Sequence, residues 1–156
     1  MYWLDTNVFI EAKNTYYPFA RVPKFWSFLS ERLSKGDIRC CKNVYDDLLK
    51  QKDQLAGWAK TRKGNGMCVQ SEPGVFARYT EICGFLIPNC PYRWYEEFCN
   101  GSDGWVIAYA MHFGGTVVTQ ESKSRKRKIR VPVVCKRFDV PWVDTFQMLD
   151  RLDARF

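Results

Sequence analysis

The pattern that most constrains the fold is an alternation of short apolar strands with helical segments along the whole chain. Residues 1–5 are apolar and end in an acid, and residues 116–119 are β-branched throughout, which is typical of a buried strand. Helical spacing of apolar residues predicts helices near 8–13, 22–35, 53–62, 76–86, 102–113 and 144–152, with another capped by Asn43. Further short extended pieces are predicted at 37–41, 129–134 and 140–143. Strands separated by helices require crossover connections, so the sequence predicts a three-layer α/β/α fold with a mostly parallel central sheet.

The length and composition predict one globular domain spanning residues 1–156. The chain is 46% hydrophobic and 16% aromatic, which is too apolar for a disordered protein. No apolar run approaches the ~18 to 20 residues of a membrane span, and the N-terminus lacks the basic region and cleavage site of a secretory signal. We therefore expect a soluble cytoplasmic protein with no membrane partner.

The seven cysteines argue against a disulfide scaffold and against a structural zinc site. Their number is odd, they contain no C-x-x-C pair, and His112 is the single histidine. Cys83, Cys90 and Cys99 could converge in space, but buried free cysteine usually behaves as a small hydrophobic residue. We therefore expect no metal at these thiols.

All of the excess positive charge lies in one short segment, the basic arm at residues 120–137. The chain carries 24 Lys and Arg against 17 Asp and Glu; this segment holds eight basic residues and one acid, so the remainder balances at 16 against 16. Such a run is either a solvated loop or a phosphate-binding element that gains free energy by releasing counterions from a nucleic acid. The basic residues in its centre are Lys123, Arg125, Lys126, Arg127, Lys128 and Arg130.

Several acids fall where parallel sheets usually bind ligands, beyond the carboxyl ends of strands. Asp5 ends the first strand, and Glu121 lies two residues beyond Thr119. Asp103 lies in the first turn of a predicted helix, where acids are common for structural reasons alone. Asp46 and Asp47 lie in the first turn of the Asn43-capped helix, and because they point about 100° apart we expect only one to face the cleft.

Carboxylates gathered in one cleft would repel one another and raise their pKa values unless a cation lay among them. Mg²⁺ or Mn²⁺ suits oxygen ligands of this kind, and a bound divalent cation can activate water and stabilise charge on a phosphodiester. A nuclease of this design needs no catalytic histidine. We expect His112, near the far end of its helix, to be a packing or surface residue.

An ordered set of four segments resembles the PIN domain family. The segments are Asp5-Thr6-Asn7, Val44-Tyr45-Asp46-Asp47-Leu48, Asp103 with Ile107-Ala108-Tyr109-Ala110, and Val117-Val118-Thr119-Gln120-Glu121. Residues 2–13, 16–19, 23–26 and 128–135 further resemble a small bacterial and archaeal subfamily of PIN proteins long described as a domain of unknown function. The resemblance covers nearly the whole chain and is weakest at residues 63–100. PIN domains more often have Glu at the second acidic position and Asp at the fourth, where this chain has Asp47 and Glu121.

The resemblance implies a Mg²⁺- or Mn²⁺-dependent endoribonuclease, often the toxin of a toxin–antitoxin pair. It implies that the acidic site consists of Asp5, Asp47, Asp103 and Glu121, with Asp5, Asp103 and Glu121 as metal ligands. Thr6 and Asn7 would orient the first carboxylate or a bound water, and Thr119 would hold the end of the strand. The basic arm would then hold the flanking phosphates of an RNA strand, hydrolysis would leave 5′-phosphate and 3′-hydroxyl ends, and a cognate antitoxin and a homodimer would be expected partners.

Three other functions remain open from the sequence. The first is a catalytically inactive RNA-binding module of the same fold. The second is a phosphatase of the haloacid dehalogenase type, which needs an Asp two residues after Asp5, where this chain has Asn7. The third is a structural partner protein in which the acids only cap helices.

Overall fold

A computed structural model of the protein, which describes residues 1–121 and 129–156, has a four-stranded parallel sheet with helices on both faces. The strands are β1 (Tyr2–Leu4), β2 (Ile38–Arg39), β3 (Thr116–Val118) and β4 (Trp142–Val143), in the spatial order β2-β1-β3-β4. The three-layer α/β/α prediction is confirmed. Because β1 is central and pairs with β3 through Leu4 and Val118, residues 5 and 119 lie side by side at the carboxyl edge.

Nine α-helices connect and cover the strands within the described part of the chain. They are α1 (Thr6–Glu11), α2 (Pro23–Lys35), α3 (Lys42–Leu49), α4 (Gln54–Lys60), α5 (Pro73–Asn89), α6 (Tyr92–Asn100), α7 (Asp103–Phe113), α8 (Val131–Arg137) and α9 (Thr145–Arg151). Two π-helical turns, Ala12–Tyr16 and Lys63–Met67, follow α1 and α4. None of the helices in residues 1–121 and 129–156 has the length and apolar character needed to cross a membrane.

The prediction of an extended piece at residues 129–134 is wrong, because this segment contributes to α8. Its β-branched residues favour a strand, but Val131, Val134 and Cys135 are all buried and follow the i, i+3, i+4 spacing of a helix face. Val133, on the opposite side, is 56% exposed. Packing of this face against α7 therefore overrides the local strand preference.

Helix α7 positions the centre of the candidate site because it is buried along most of its length. Val106, Ile107, Ala108 and Tyr109 are fully buried between the sheet and α5. The N-terminus of α7 consequently points toward the carboxyl edge of β1 and β3. The helix ends at Gly114, which has the positive φ of 76° that glycine adopts without strain.

Five of the eight basic residues of the basic arm fall outside the described residues. These are Lys123, Arg125, Lys126, Arg127 and Lys128. Their predicted contact with RNA phosphates stays a prediction. Arg130 lies within the described part and is discussed below.

Candidate functional site

The site is built around Asp5, which is 1% exposed at the end of β1. This residue also caps α1, and its Oδ1 accepts a hydrogen bond of 2.7 Å from the backbone N–H of Thr6. Its Oδ2 accepts a hydrogen bond of 3.0 Å from the hydroxyl of Thr119. The carboxyl group is therefore held by one donor on each oxygen.

Burial raises the pKa of Asp5 from its ordinary value of 3.8 to about 8. The negative charge of Asp103 contributes to this rise in pKa, and Glu121 makes a smaller contribution in the same direction. The hydrogen bonds from Thr119 and Thr6 act in the opposite direction but do not compensate. In the absence of a cation, the Asp5 carboxyl group is mostly protonated at neutral pH.

Asp103 lies close to Asp5 because α7 begins at the same edge of the sheet. The preceding residue, Ser102, is 3% exposed, and its hydroxyl shares a hydrogen bond of 3.0 Å with the hydroxyl of Thr6. Although Ser102 directly precedes α7, its side chain makes no capping hydrogen bond and instead joins the two segments that carry the acids. The sequence pattern gave no signal for this contact.

The predicted supporting residues form one hydrogen-bonded network. Besides donating to Asp5, the Thr119 hydroxyl accepts hydrogen bonds of 3.2 Å from the amide nitrogen of Asn7 and from the backbone N–H of Glu121. The amide oxygen of Asn7 accepts a hydrogen bond of 3.0 Å from the backbone N–H of Gln120. Asn7 and Thr119 thus fix the chain immediately after β3, while Thr6 orients the first carboxylate.

Replacing Thr119 with Val should destabilise the protein by about 1 to 3 kcal/mol, because the partly buried donors of Asn7 and Glu121 lose their acceptor and Asp5 loses a buried hydrogen bond. The pKa of Asp5 should rise as well, since the Thr119 hydroxyl lowers it. Urea denaturation measures the first effect, and Thr119→Ser, which keeps the hydroxyl, is the matched control. Equal stability of the Val and Ser variants would show that the network contributes nothing.

Glu121 has a structural role that the sequence analysis did not predict. Its Oε2 accepts a hydrogen bond of 2.9 Å from the backbone N–H of Val131, the first residue of α8. Its Oε1 accepts one of 3.3 Å from Arg130, and the two side chains are 10% and 12% exposed. Arg130, one of the described basic residues of the basic arm, thus pairs with an acid of the site, and its role in binding phosphate stays a prediction.

The acids of α3 line a separate small pocket beside the Asp5 network. Asp47 forms an ion pair of 2.7 Å with Lys50, and Asp46 pairs with Lys42. Both aspartates line a pocket of about 160 Å³ that does not include Asp5 or Asp103, so the expectation that only one of them faces the acidic cleft stays a prediction. Ser102 and Asn100 line the same pocket, so Asp47 lies next to the segment that precedes Asp103. Asp47 is not among the charges that raise the pKa of Asp5, which come from Asp103 and Glu121.

The side chains around Asp5 determine whether the predicted Mg²⁺ or Mn²⁺ ion could bind there. Among residues 1–121 and 129–156, no group of three His, Cys, Asp or Glu side chains is arranged to hold a metal ion. Asp5 and Asp103 offer hard oxygen donors, and the carboxylate of Glu121 accepts hydrogen bonds from Val131 and Arg130. Because Mg²⁺ is usually bound through one or two carboxylates with water and substrate phosphate completing its shell, a two-carboxylate site fits the residues better than the predicted three.

Cys41 and Cys135 lie near Asp5, a position that was not predicted from the sequence. Burial raises the pKa of both Cys41 and Cys135 to about 12, and the charge of Asp5 adds to the effect in each case. Cys41 precedes α3 at the same edge of the sheet, and this position could have been noticed from the end of the predicted strand at 37–41. These protonated thiols form part of the weakly polar surroundings that keep the Asp5 carboxyl group neutral.

His112 lies at the opposite end of α7 from Asp103 and pairs with Glu72. It takes no part in the acidic site, in agreement with the sequence analysis. A larger groove of about 590 Å³, between α5, α6 and α8, is mostly apolar. It meets the acidic site through Arg130, which lines this groove and also bonds Glu121.

Comparison with known families identifies the chain as a member of the family described as "Domain of unknown function (DUF4411)", which it matches over residues 2–156. The prediction of the PIN domain family is wrong, since no PIN family matches. No curated protein matches the chain significantly. The ordered acids that suggested PIN domains are a feature that a different α/β family can also have.

Proposed function

We propose that this member of the DUF4411 family is a divalent-cation-dependent ribonuclease, with Asp5 and Asp103 as the ligands of Mg²⁺ or Mn²⁺. The observation that carries the proposal is the burial of Asp5 beside a second carboxylate, which raises its pKa to about 8. A buried acid in such surroundings is costly to ionise, and strongly shifted carboxyl groups are concentrated at functional sites.

The residues around Asp5 support a ligand role for it. The Thr6 N–H and the Thr119 hydroxyl fix the carboxyl plane, and each oxygen keeps a second lone pair for a cation. A bound divalent cation would supply positive charge that stabilises ionised Asp5 and would activate a water for attack on phosphorus. Asn7 and Thr119 would keep the strand end, and hence Asp5, in position during the reaction.

The charge distribution favours RNA as the substrate. The net charge of +7 is concentrated in the basic arm, which begins directly after Glu121, while the remainder of the chain is balanced. Clustered Lys and Arg bind a phosphate backbone by releasing counterions, and their position next to the acids would bring a phosphodiester to the cation.

An inactive RNA-binding module is the second candidate. It is favoured by the engagement of Glu121 with Arg130 and Val131, which leaves a smaller acidic set than the sequence predicted. In that case Asp5 would be a buried structural acid. RNA binding would persist in both proposals, and only hydrolysis distinguishes them.

Cleavage of a single-stranded RNA in Mg²⁺, in Mn²⁺ and in excess chelator tests the proposal. We expect cleavage with either metal, none with chelator, and a loss of more than about 100-fold in Asp5→Asn and Asp103→Asn, because even outer-shell partners of a metal contribute about 10 to 100-fold. Asp139→Asn, at an exposed position, is the matched control. The products should carry 5′-phosphate ends. Binding of RNA by the folded wild type without cleavage in either metal would refute the enzyme and support the binding module.

The toxin role, the cognate antitoxin, the homodimer and the cytoplasmic location stay predictions. The toxin role, the antitoxin and the homodimer were predicted from the resemblance to PIN domains, which the family match no longer supports. The cytoplasmic location was predicted from the absence of a recognisable signal sequence. Expression of the wild type beside Asp5→Asn in a bacterial host checks the toxin role. Growth arrest by the wild type alone would support it, and equal growth would contradict it.

A further inference from the structure

We propose that Cys83 and Cys99 form a redox modification site, at which a low-molecular-weight disulfide converts the two thiols into a reversible intramolecular disulfide. Cys83 lies on α5 and Cys99 on α6, and their Sγ atoms are 3.6 Å apart. Their separation of 16 residues matches no short motif, and the sequence indicated only that Cys83, Cys90 and Cys99 could converge, not which two of them meet. The proposal is independent of the proposed nuclease.

The geometry requires little movement. A disulfide bond is about 2.05 Å long, so the two sulfur atoms have to approach by about 1.5 Å. Side-chain rotation at two partly exposed residues can supply most of this distance. The helices are already packed against each other, and no other part of the fold has to rearrange.

Neighbouring groups separate this pair from the other thiols of the molecule. The thiol of Cys90 donates a hydrogen bond of 3.1 Å to the backbone oxygen of Leu86, and Cys40, Cys41 and Cys135 are buried. The hydroxyl of Tyr79 donates a hydrogen bond of 3.1 Å to the backbone oxygen of Cys99, which holds the end of α6 against α5. Cys83 and Cys99 are thus both exposed to reagents and held in contact.

The reaction proceeds by two thiol–disulfide exchanges. The thiolate of one cysteine attacks the low-molecular-weight disulfide, forms a mixed disulfide and releases one thiolate; the second cysteine then attacks the mixed disulfide and releases the other. The protein loses two hydrogen atoms, and the oxidant becomes two thiols. Burial raises the pKa of Cys83 to about 11, so this thiol is mostly protonated at neutral pH and the uncatalysed reaction is slow.

The bond would connect α5 to the segment that leads into the candidate site. Cys99 lines the pocket that also contains Asp47 and Ser102, and Asp103 follows four residues later. The disulfide would connect two residues that are 16 positions apart. Closing a loop of this length lowers the conformational entropy of the unfolded chain and thereby stabilises the folded protein. We expect the melting temperature of the oxidised protein to rise by about 6 to 12 °C.

The test uses the full-length protein, incubated with oxidised glutathione and then alkylated in denaturant. We expect the wild type to lose two of its seven free thiols, to decrease in mass by about 2 Da before alkylation, and to yield one cross-linked peptide pair containing Cys83 and Cys99. Dithiothreitol should restore all seven. Cys83→Ser and Cys99→Ser should retain every remaining thiol or carry a glutathione adduct, whereas Cys90→Ser, the matched control, should still form the bond.

Three results would overturn the proposal: a wild type that keeps seven thiols, a wild type that carries only glutathione adducts, or a cross-linked peptide pair that contains another cysteine. Peptide mapping of the wild type gives the answer even if a serine variant fails to fold. A melting temperature that does not change on oxidation would refute the stabilising role of the bond.

Discussion

Asp5→Asn should make the protein, freed of metal by a chelator, more stable than the wild type at pH 8. The folded wild type binds a proton at Asp5 up to about pH 8, whereas the unfolded chain releases it near pH 3.8. Between these values the unfolded state binds fewer protons, so the free energy of unfolding falls by about 1.4 kcal/mol for each pH unit. The asparagine has no proton to exchange, so this loss with pH is absent from the variant. Its single amide oxygen can accept only one of the two hydrogen bonds that Thr6 and Thr119 donate to Asp5, which costs about 1 kcal/mol at every pH.

Urea denaturation from pH 5 to pH 8 measures the difference between the two proteins. It should change by about 3 to 4 kcal/mol over this range in favour of the variant. Asp139→Asn serves as the control for a general effect of charge, because that position is exposed. Saturating Mg²⁺ should stabilise the wild type at pH 8 and leave Asp5→Asn unchanged. A difference that stays constant with pH would mean that Asp5 is ionised in the folded state without a cation.

The second large effect is expected for Trp3→Ala in the central strand. Trp3 is 1% exposed, its ring stacks on Phe113 at 5.7 Å and packs against Tyr109 at 5.3 Å, and its Nε1 donates a hydrogen bond of 2.9 Å to the backbone oxygen of Gly114. Truncation to alanine removes a large buried ring at the junction of β1 with α7. The free energy of unfolding should fall by about 3 to 5 kcal/mol.

Trp3→Phe separates the contribution of the ring from that of the hydrogen bond. It keeps an aromatic side chain but leaves the Gly114 oxygen without its donor, so we expect a smaller loss of about 1 to 3 kcal/mol. Equilibrium urea denaturation of the three proteins gives both values. If Trp3→Ala folds and its free energy of unfolding lies within about 1 kcal/mol of the wild-type value, the central position of the Trp3 ring in the core is contradicted.

The class of the fold could be predicted because strand and helix periods are local properties. Residues 1–5 and 116–119 are predicted as strands from their apolar and β-branched character. The predicted end of the helix near residue 35 agrees with α2, which is followed by Gly36 with a φ of 86°. The identity of α8 could not be predicted in the same way. There the local preference of valine for strands competes with burial against α7, and only the packed structure shows which one wins.

The candidate site was predictable to the extent that strand ends determine it. Asp5, Thr119 and Asp103 are brought together by parallel pairing of β1 with β3 and by the position of α7, as the sequence analysis expected. Ion pairs could not be predicted, because they depend on which side chains meet across the surface. The contacts of Glu121 with Arg130 and of Asp47 with Lys50 are therefore findings of the structure alone.

The family assignment failed for a related reason. Any α/β protein can place acids at the carboxyl ends of parallel strands and at the start of a helix, where they can bind a cation. The order of such acids along the chain therefore identifies an architecture and not a family. Asp5 and Asp103 can be argued as ligands from their surroundings without any family likeness. The match to DUF4411 over residues 2–156 accordingly corrects the family assignment and leaves the chemical argument to experiment.

Because β1 pairs with β3, which lies far along the chain, the candidate site can assemble only late in the synthesis of the protein. Asp5 leaves the ribosome before Thr119, its hydrogen-bond partner, which is 114 residues further along the chain. At about 5 to 20 residues per second, roughly 6 to 23 s separate their emergence. A nascent chain therefore carries its first acid exposed to water and ionised, and an incomplete product that stops before β3 lacks the assembled centre altogether.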